Sequence, residues 1–173
     1  DAKGRLKMAG NIDDPVIFME HKGLYRMAAA ATEEPDKDYT LPFGKAKIVQ
    51  RGKDLTIITW GMLVYKSIAA AKKLKGEIEI IDLRTLNPLD WGIIESSIRK
   101  TSKVLIAYED NLTCGPGAEI SAMIADRYFE LLDGPVKRVA AMDVPIPFNA
   151  EQEKAVLPQV GDIVNAANEL LEY

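Results

Sequence analysis

The sequence predicts an α/β fold, a mostly parallel sheet with helices on both faces, and three observations carry that prediction. Short apolar runs rich in β-branched residues alternate with stretches whose apolar residues recur at helical spacing. One run, Val104–Tyr108 (VLIAY), is apolar at every position, as a strand buried on both faces is. It feeds a polar outlet, Glu109-Asp110-Asn111, then a turn, Cys114-Gly115-Pro116-Gly117, that opens a helix. In open α/β sheets, the carboxyl ends of strands are where function usually sits.

Size and composition bound the possibilities. The chain has 173 residues and is 47% hydrophobic, enough for one well-buried domain with some chain left over. The formal charge is -4 and the 22 Lys and Arg are scattered, so no basic tract points to nucleic acid. The single cysteine excludes an internal disulfide and fits a reducing compartment. No apolar run approaches the ~20 residues of a membrane span, and no stretch reads as a signal peptide. The sequence opens Asp-Ala-Lys without an initiator Met, which leads us to expect a fragment or the mature end of something longer.

In chain order, Ala2–Met8 has helix formers but is too short to stand alone. Asp13-Asp14-Pro15 is a turn, and Val16–Met19 (VIFM) a β-type run that needs a partner outside the chain or an edge to cover. Met27–Pro42, Ala-rich and then acidic, reads as an inter-domain linker. The main domain starts near Phe43. Lys45–Gln50 and Leu55–Trp60 (LTIITW) read as strands, and the short link between them predicts an antiparallel pair. Val64, Ile68, Ala71 and Leu74 then recur at helical spacing, with lysines gathered in the last turn and Gly76 at C′. Glu77–Leu83 is the third strand. Asp90 is an N-cap for a helix carrying Ile93, Ile94 and Ile98. After the Val104–Tyr108 strand, Pro116 suits the first turn of a helix with Ile120, Ile124, Tyr128 and Leu131 on one face. Val136–Ala141 is the last strand, Asp143–Phe148 is held extended by its prolines, and Val160–Leu171 closes the chain as a helix. Crossover connections then give a parallel sheet whose first strand alone is antiparallel.

Candidate chemistry is sparse. The Gly115–Gly117 turn either cradles an anion on backbone N–H groups or lets its helix pack close to a neighbour. Ile120 stands where a dinucleotide fingerprint needs its third glycine, which favours packing. His21, the only histidine, has no second ligand beside it and reads as a solvated or interface residue rather than a zinc ligand. Cys114, at a helix start, is read as a small packing residue before a reactive thiol. Glu109-Asp110 is either an acid–base pair or a helix cap or partner contact. Asp82 and Arg84 point to one face as a salt bridge. These residues form no self-contained catalytic constellation, so an assembly or binding module is preferred over a free-standing enzyme.

Four stretches, IIDLRTLNPLD at Ile80–Asp90, LIAYEDNLTCGPGAEI at Leu105–Ile120, PVKRVAAMDVPIPF at Pro135–Phe148 and PVIFMEHKGLYR at Pro15–Arg26, together resemble the β subunit of thiamine-diphosphate-dependent 2-oxo-acid dehydrogenases, the first components of pyruvate and branched-chain dehydrogenase complexes. The resemblance covers the carboxyl-terminal part of that subunit. It implies that residues 1–26 are the tail of a pyrimidine-binding domain, 27–42 a linker, and 43–173 a transketolase carboxyl-terminal domain. The family fold is a three-layer α/β/α sandwich around a five-stranded mixed sheet with its first strand antiparallel. The implied activity is oxidative decarboxylation of a 2-oxo acid, with acyl transfer to a lipoyl carrier, using thiamine diphosphate and magnesium. The family's activating glutamate lies upstream and its diphosphate motif in the α subunit, so the resemblance assigns no catalytic or cofactor residue here. It implies an α subunit and a second β subunit as heterotetramer partners, and docking to the subunit-binding domain of the dihydrolipoyl acyltransferase. The docking candidates are Asp143 and the terminal carboxylate of Tyr173. Backbone oxygens near Ala9, Ile12 and Asp14 are candidates for part of a potassium site. A bacterial or archaeal cytoplasm, or the mitochondrial matrix, follows from the same resemblance. Where the family has Gly-Gly-Phe-Gly, this chain has Cys114-Gly115-Pro116-Gly117 and lacks the aromatic. Two alternatives remain: an independent α/β domain binding a small anion at Gly115–Gly117, and an acetoin dehydrogenase β subunit.

Overall fold

A computed structural model describes residues 1–173. Its centre is a five-stranded sheet built from β1 (Lys47–Gln50), β2 (Leu55–Thr59), β3 (Ile78–Asp82), β4 (Val104–Asn111) and β5 (Lys137–Ala141), in the order β1-β3-β2-β4-β5. β2 runs parallel to β3 and β4, and β4 parallel to β5, while β1 is antiparallel to β3. The mixed sheet with a single antiparallel edge strand is as predicted.

Alternation along the strands divides the core in two. Leu55, Ile57, Ile78, Ile80, Leu105, Ala107 and Val139 face one side. There they meet helices α2 (Met62–Ala71) and α6 (Val160–Leu171). Ile58, Ile81, Val104, Ile106 and Tyr108 face the other, against α3 (Trp91–Thr101) and α4 (Pro116–Tyr128). Both faces are covered, which is why β2 is buried at all five positions instead of every second one. The local signals act as read. Asp90 caps α3, accepting from Ile93 N–H at 3.3 Å, and Pro116 opens α4 behind the Gly115 N-cap.

The pairing of the first two strands differs from expectation. β1 pairs with β3, not β2, so β3 lies between them. Two strand spacings amount to roughly 10 Å, and the residues between Gln50 and Leu55 are long enough to cross them. The link passes the start of β3, where Lys53 and Asp54 donate to the Glu77 carbonyl at 2.9 and 3.0 Å. A Cβ on Gly52 would collide with the β3 backbone at Glu77 and Ile78, so glycine is what permits the crossing. A second difference concerns Gly76. Helix α2 ends at Ala71, ahead of the lysines, and Gly76 packs against Leu171 instead of capping the helix.

The leading segment folds back on the domain. Helix α1 (Ala2–Ala9) buries Gly4 and Arg5. Gly4 lies against the Tyr39 ring, and its carbonyl accepts from Leu41 N–H at 3.1 Å. Arg5 donates to the Lys45 carbonyl at 2.8 Å. Val16–Met19 forms no strand and leaves Ile17 89% exposed, because the chain offers it no ladder to join. A short helix not anticipated from the sequence, α5 (Ala150–Val156), is capped by Asn149, whose side chain accepts from Glu151 and Gln152 N–H.

Candidate functional site

The chain leaves β2 toward β3 through α2 on one face, and leaves β4 toward β5 through α4 on the other. The carboxyl ends of β2 and β4 therefore flank the topological switch point, where α/β sheets open a ligand crevice. Trp60 follows β2 and stacks on Tyr108 of β4, with ring centroids 5.5 Å apart and planes 14° apart. Glu109 is next on β4. Its carboxylate meets the imidazole of His21, Nε2 to Oε2 at 2.8 Å. The structure thus joins the lone histidine of the leading segment to the strand end. These residues are 88 positions apart, and no local pattern in the sequence connects them. Asp110 does not join them; its side chain accepts from Asn111 N–H. Glu109 and Asp110 therefore do not form an acid–base pair.

The glycine turn beyond is a packing device. A Cβ on Gly117 would fall inside the Tyr108 ring, and one on Gly115 would strike the Asn111 carbonyl. The turn leading into α4 also takes a carboxylate from within the chain. Asp143 accepts from Thr113 N–H at 2.9 Å and from Thr113 Oγ1 at 2.6 Å. These two hydrogen bonds hold the Asp143 carboxyl below the usual carboxylate range. Arg138 ties the same loop from β5, donating to the Leu112 carbonyl at 2.6 Å and to the Tyr108 hydroxyl at 3.2 Å. Cys114 stands exposed in this loop at φ 61°, a left-handed conformation uncommon for a residue with a side chain.

At the carboxyl end of β3, burial pushes the Asp82 carboxyl up, against the Arg84 N–H it accepts at 3.1 Å. The guanidinium of Arg84 turns away to pair with Asp1, so the bridge expected between Asp82 and Arg84 is a backbone hydrogen bond instead. Ala9 ends α1 and its carbonyl accepts from Ile12 N–H at 3.4 Å; Asp14 is exposed just before Pro15. Tyr173 closes the chain with its ring against Gly134.

No group of three or more His, Cys, Asp and Glu is placed to hold a metal ion. The turn before α4 engages Asp143, and the Glu109 carboxylate at the end of β4 engages His21.

Comparison with known proteins places this geometry in context. Residues 44–163 match the profile of the transketolase C-terminal domain. Over 171 residues the chain is 43% identical to the mitochondrial pyruvate dehydrogenase E1 component subunit beta-1 of Arabidopsis thaliana, covering 96% of this chain and 47% of that protein. Over 176 residues it is 38% identical to the pyruvate dehydrogenase E1 component subunit beta of Staphylococcus aureus, covering 100% of this chain and 53% of that one. The chain thus spans about half the length of the curated relatives it matches. A solved split-gene transketolase, described as an inactive beta4 tetramer, superposes with a TM-score of 0.67 at 26% identity, covering 82% of this chain and 46% of that one.

Proposed function

The chain belongs to the transketolase C-terminal domain family, and from that premise we propose that it is the carboxyl-terminal part of the β subunit of a 2-oxo-acid dehydrogenase first component. The observation that carries this reading is the 43% identity, along 96% of the chain, to a pyruvate dehydrogenase E1 β subunit. In that setting the whole enzyme decarboxylates a 2-oxo acid oxidatively and passes the acyl group to a lipoyl carrier. Thiamine diphosphate and magnesium supply the carbanion chemistry and are held by the rest of the enzyme. This part builds subunit contacts.

Its surface supports such a role. The run after β5 exposes Met142, Val144, Ile146 and Phe148, and the leading segment exposes Ile17, Met19 and Tyr25. Apolar groups gathered on extended segments suit burial against an α subunit and a second β subunit. Asp143 projects beside the first of these patches with its carboxylate already oriented by Thr113, a geometry that suits a cationic group on the acyltransferase's subunit-binding domain. The carboxylate of Tyr173 is the second docking candidate. Backbone oxygens near Ala9, Ile12 and Asp14 are proposed as one half of a potassium site whose other half comes from preceding residues. Within this reading, residues 1–26 close the pyrimidine-binding domain, 27–42 link, and 43–173 form the assembly domain. The protein works where such complexes work, in a bacterial or archaeal cytoplasm or the mitochondrial matrix.

The test is reconstitution. The full-length protein carrying these residues, co-expressed with an α-type subunit, should purify as a heterotetramer. That complex should reduce an artificial electron acceptor only when given a 2-oxo acid, thiamine diphosphate and magnesium. Failure to form any complex, or turnover indifferent to every 2-oxo acid, overturns the proposal.

A further inference from the structure

We propose that residues His21–Leu24 are a built-in plug of the switch-point crevice, and that the His21–Glu109 hydrogen bond is the clasp that holds the plug in place. The crevice between the carboxyl ends of β2 and β4 is where this architecture ordinarily admits a ligand. Here a single 3₁₀ turn, Lys22–Leu24, has His21 as its N-cap and lies between the start of α2 and the end of β4. Gly23 approaches the first residue of α2 so closely that an added Cβ would lie 3.2 Å from Met62 Cε. His21 Nε2 meets Glu109 on the β4 side at 2.8 Å. The turn therefore bridges both strands of the switch point, touching the element after β2 and the end of β4.

Two further details agree. His21 Nδ1 is buried without a partner, while Nε2 has the Glu109 carboxylate. The arrangement thus fits the tautomer with its proton on Nε2, donated to an acceptor-only group. Apart from this pair, the neighbouring segment has weak attachment: Ile17, Met19 and Tyr25 are exposed, and the Tyr25 hydroxyl bonds only to Glu20 of the same segment, at 2.6 Å. The clasp is the one side-chain hydrogen bond from Asp13–Arg26 to the sheet. The pair acts by positioning the plug, which couples the segment before the domain to the strand end that a ligand would need.

Hydrogen exchange by mass spectrometry on the full chain tests this, with hydrogen peroxide as a probe of the Met62 thioether. The amides to follow are those of Leu24, Tyr25 and Met27, which donate to the His21, Lys22 and Leu24 carbonyls. In His21→Ala and in Glu109→Ala these amides should exchange roughly tenfold faster, the scale of one lost charge-assisted hydrogen bond. Met62 should oxidise faster in the same variants. The double variant should exchange no faster than the faster single one, and Glu109→Gln, which keeps an acceptor at the same reach, should restore protection. Amides of β2 and β4 should be unchanged. Unchanged exchange at Leu24–Met27, additive effects in the double variant, or equal loosening of β2 and β4 would overturn the clasp. Should Glu109→Ala fail to fold, the His21→Ala result decides, because His21 lies outside the core.

Discussion

Gly117 has the aromatic ring of Tyr108 where a side chain would go. Even a methyl group forces the start of α4 away from β4, so Gly117→Ala should destabilise the domain by about 2–3 kcal/mol, the cost of overpacking a close-fitting site. Urea denaturation midpoints measure it. Asp143 gives a prediction of a different kind. Its folded-state pKa is lowered from 3.8 by the Thr113 hydroxyl and N–H. The stability it adds is therefore complete above about pH 3.8 and is lost as pH falls through the lower folded value. Compared with Asp143→Ala, the wild-type advantage should be present near neutrality and vanish in strong acid, as read by denaturant midpoints across that range. The glycine packing was legible in the sequence, because a strand, a Gly-Pro-Gly turn and a helix are contiguous. The Asp143–Thr113 bond was not, because its partners are 30 residues apart and belong to different loops. The same holds for His21 and Glu109, where the sequence offered only a solitary histidine.

At the scale of elements, strand and helix positions followed from periodicity, since both faces of the sheet demand continuous apolar strands and one-sided helices. What failed was the assumption that a short link makes a hairpin. Gly52 lets the link ride over β3, and a pattern of apolar residues cannot distinguish a crossing from a reversal. Beside that crossing, Glu79 is fully buried and ties β3 to α3 and to the link: Ser97 donates at 2.5 Å, Lys100 pairs with it, and Gly52 N–H donates at 3.4 Å. Burial pushes this carboxyl up, but Lys100, Ser97 and Gly52 together hold it below the usual range. Lys100→Met leaves a buried carboxylate short of its cation. The cost should be about 1–2 kcal/mol, less than for a fully buried pair because the ammonium is partly solvated. The loss should be largest near neutrality and shrink in acid, as pH falls below 4.5 and through the lowered folded value. Thermal midpoints for the two proteins across that pH range give the comparison.

For the whole molecule, the surface and the sheet speak to the same role. The end of β4 and the turn after it are engaged from within the chain, by His21 and by Asp143, while apolar residues stand exposed on the leading segment and on the run after β5. Substituting Ile146 and Phe148 together by Ser should weaken association of the reconstituted complex by at least tenfold, on the order expected for apolar anchors, while leaving the domain folded. Sedimentation velocity reads the first and circular dichroism the second. The four family-like stretches made the family legible before any geometry was known. The surfaces themselves were not legible, because exposure depends on which segments the sheet leaves uncovered. The most direct measurement is calorimetric titration of thiamine diphosphate, with magnesium present, into this 173-residue chain alone. No saturable binding is expected, because on the proposed reading the groups that hold the cofactor lie outside these residues. Tight, stoichiometric binding to the isolated chain would contradict it.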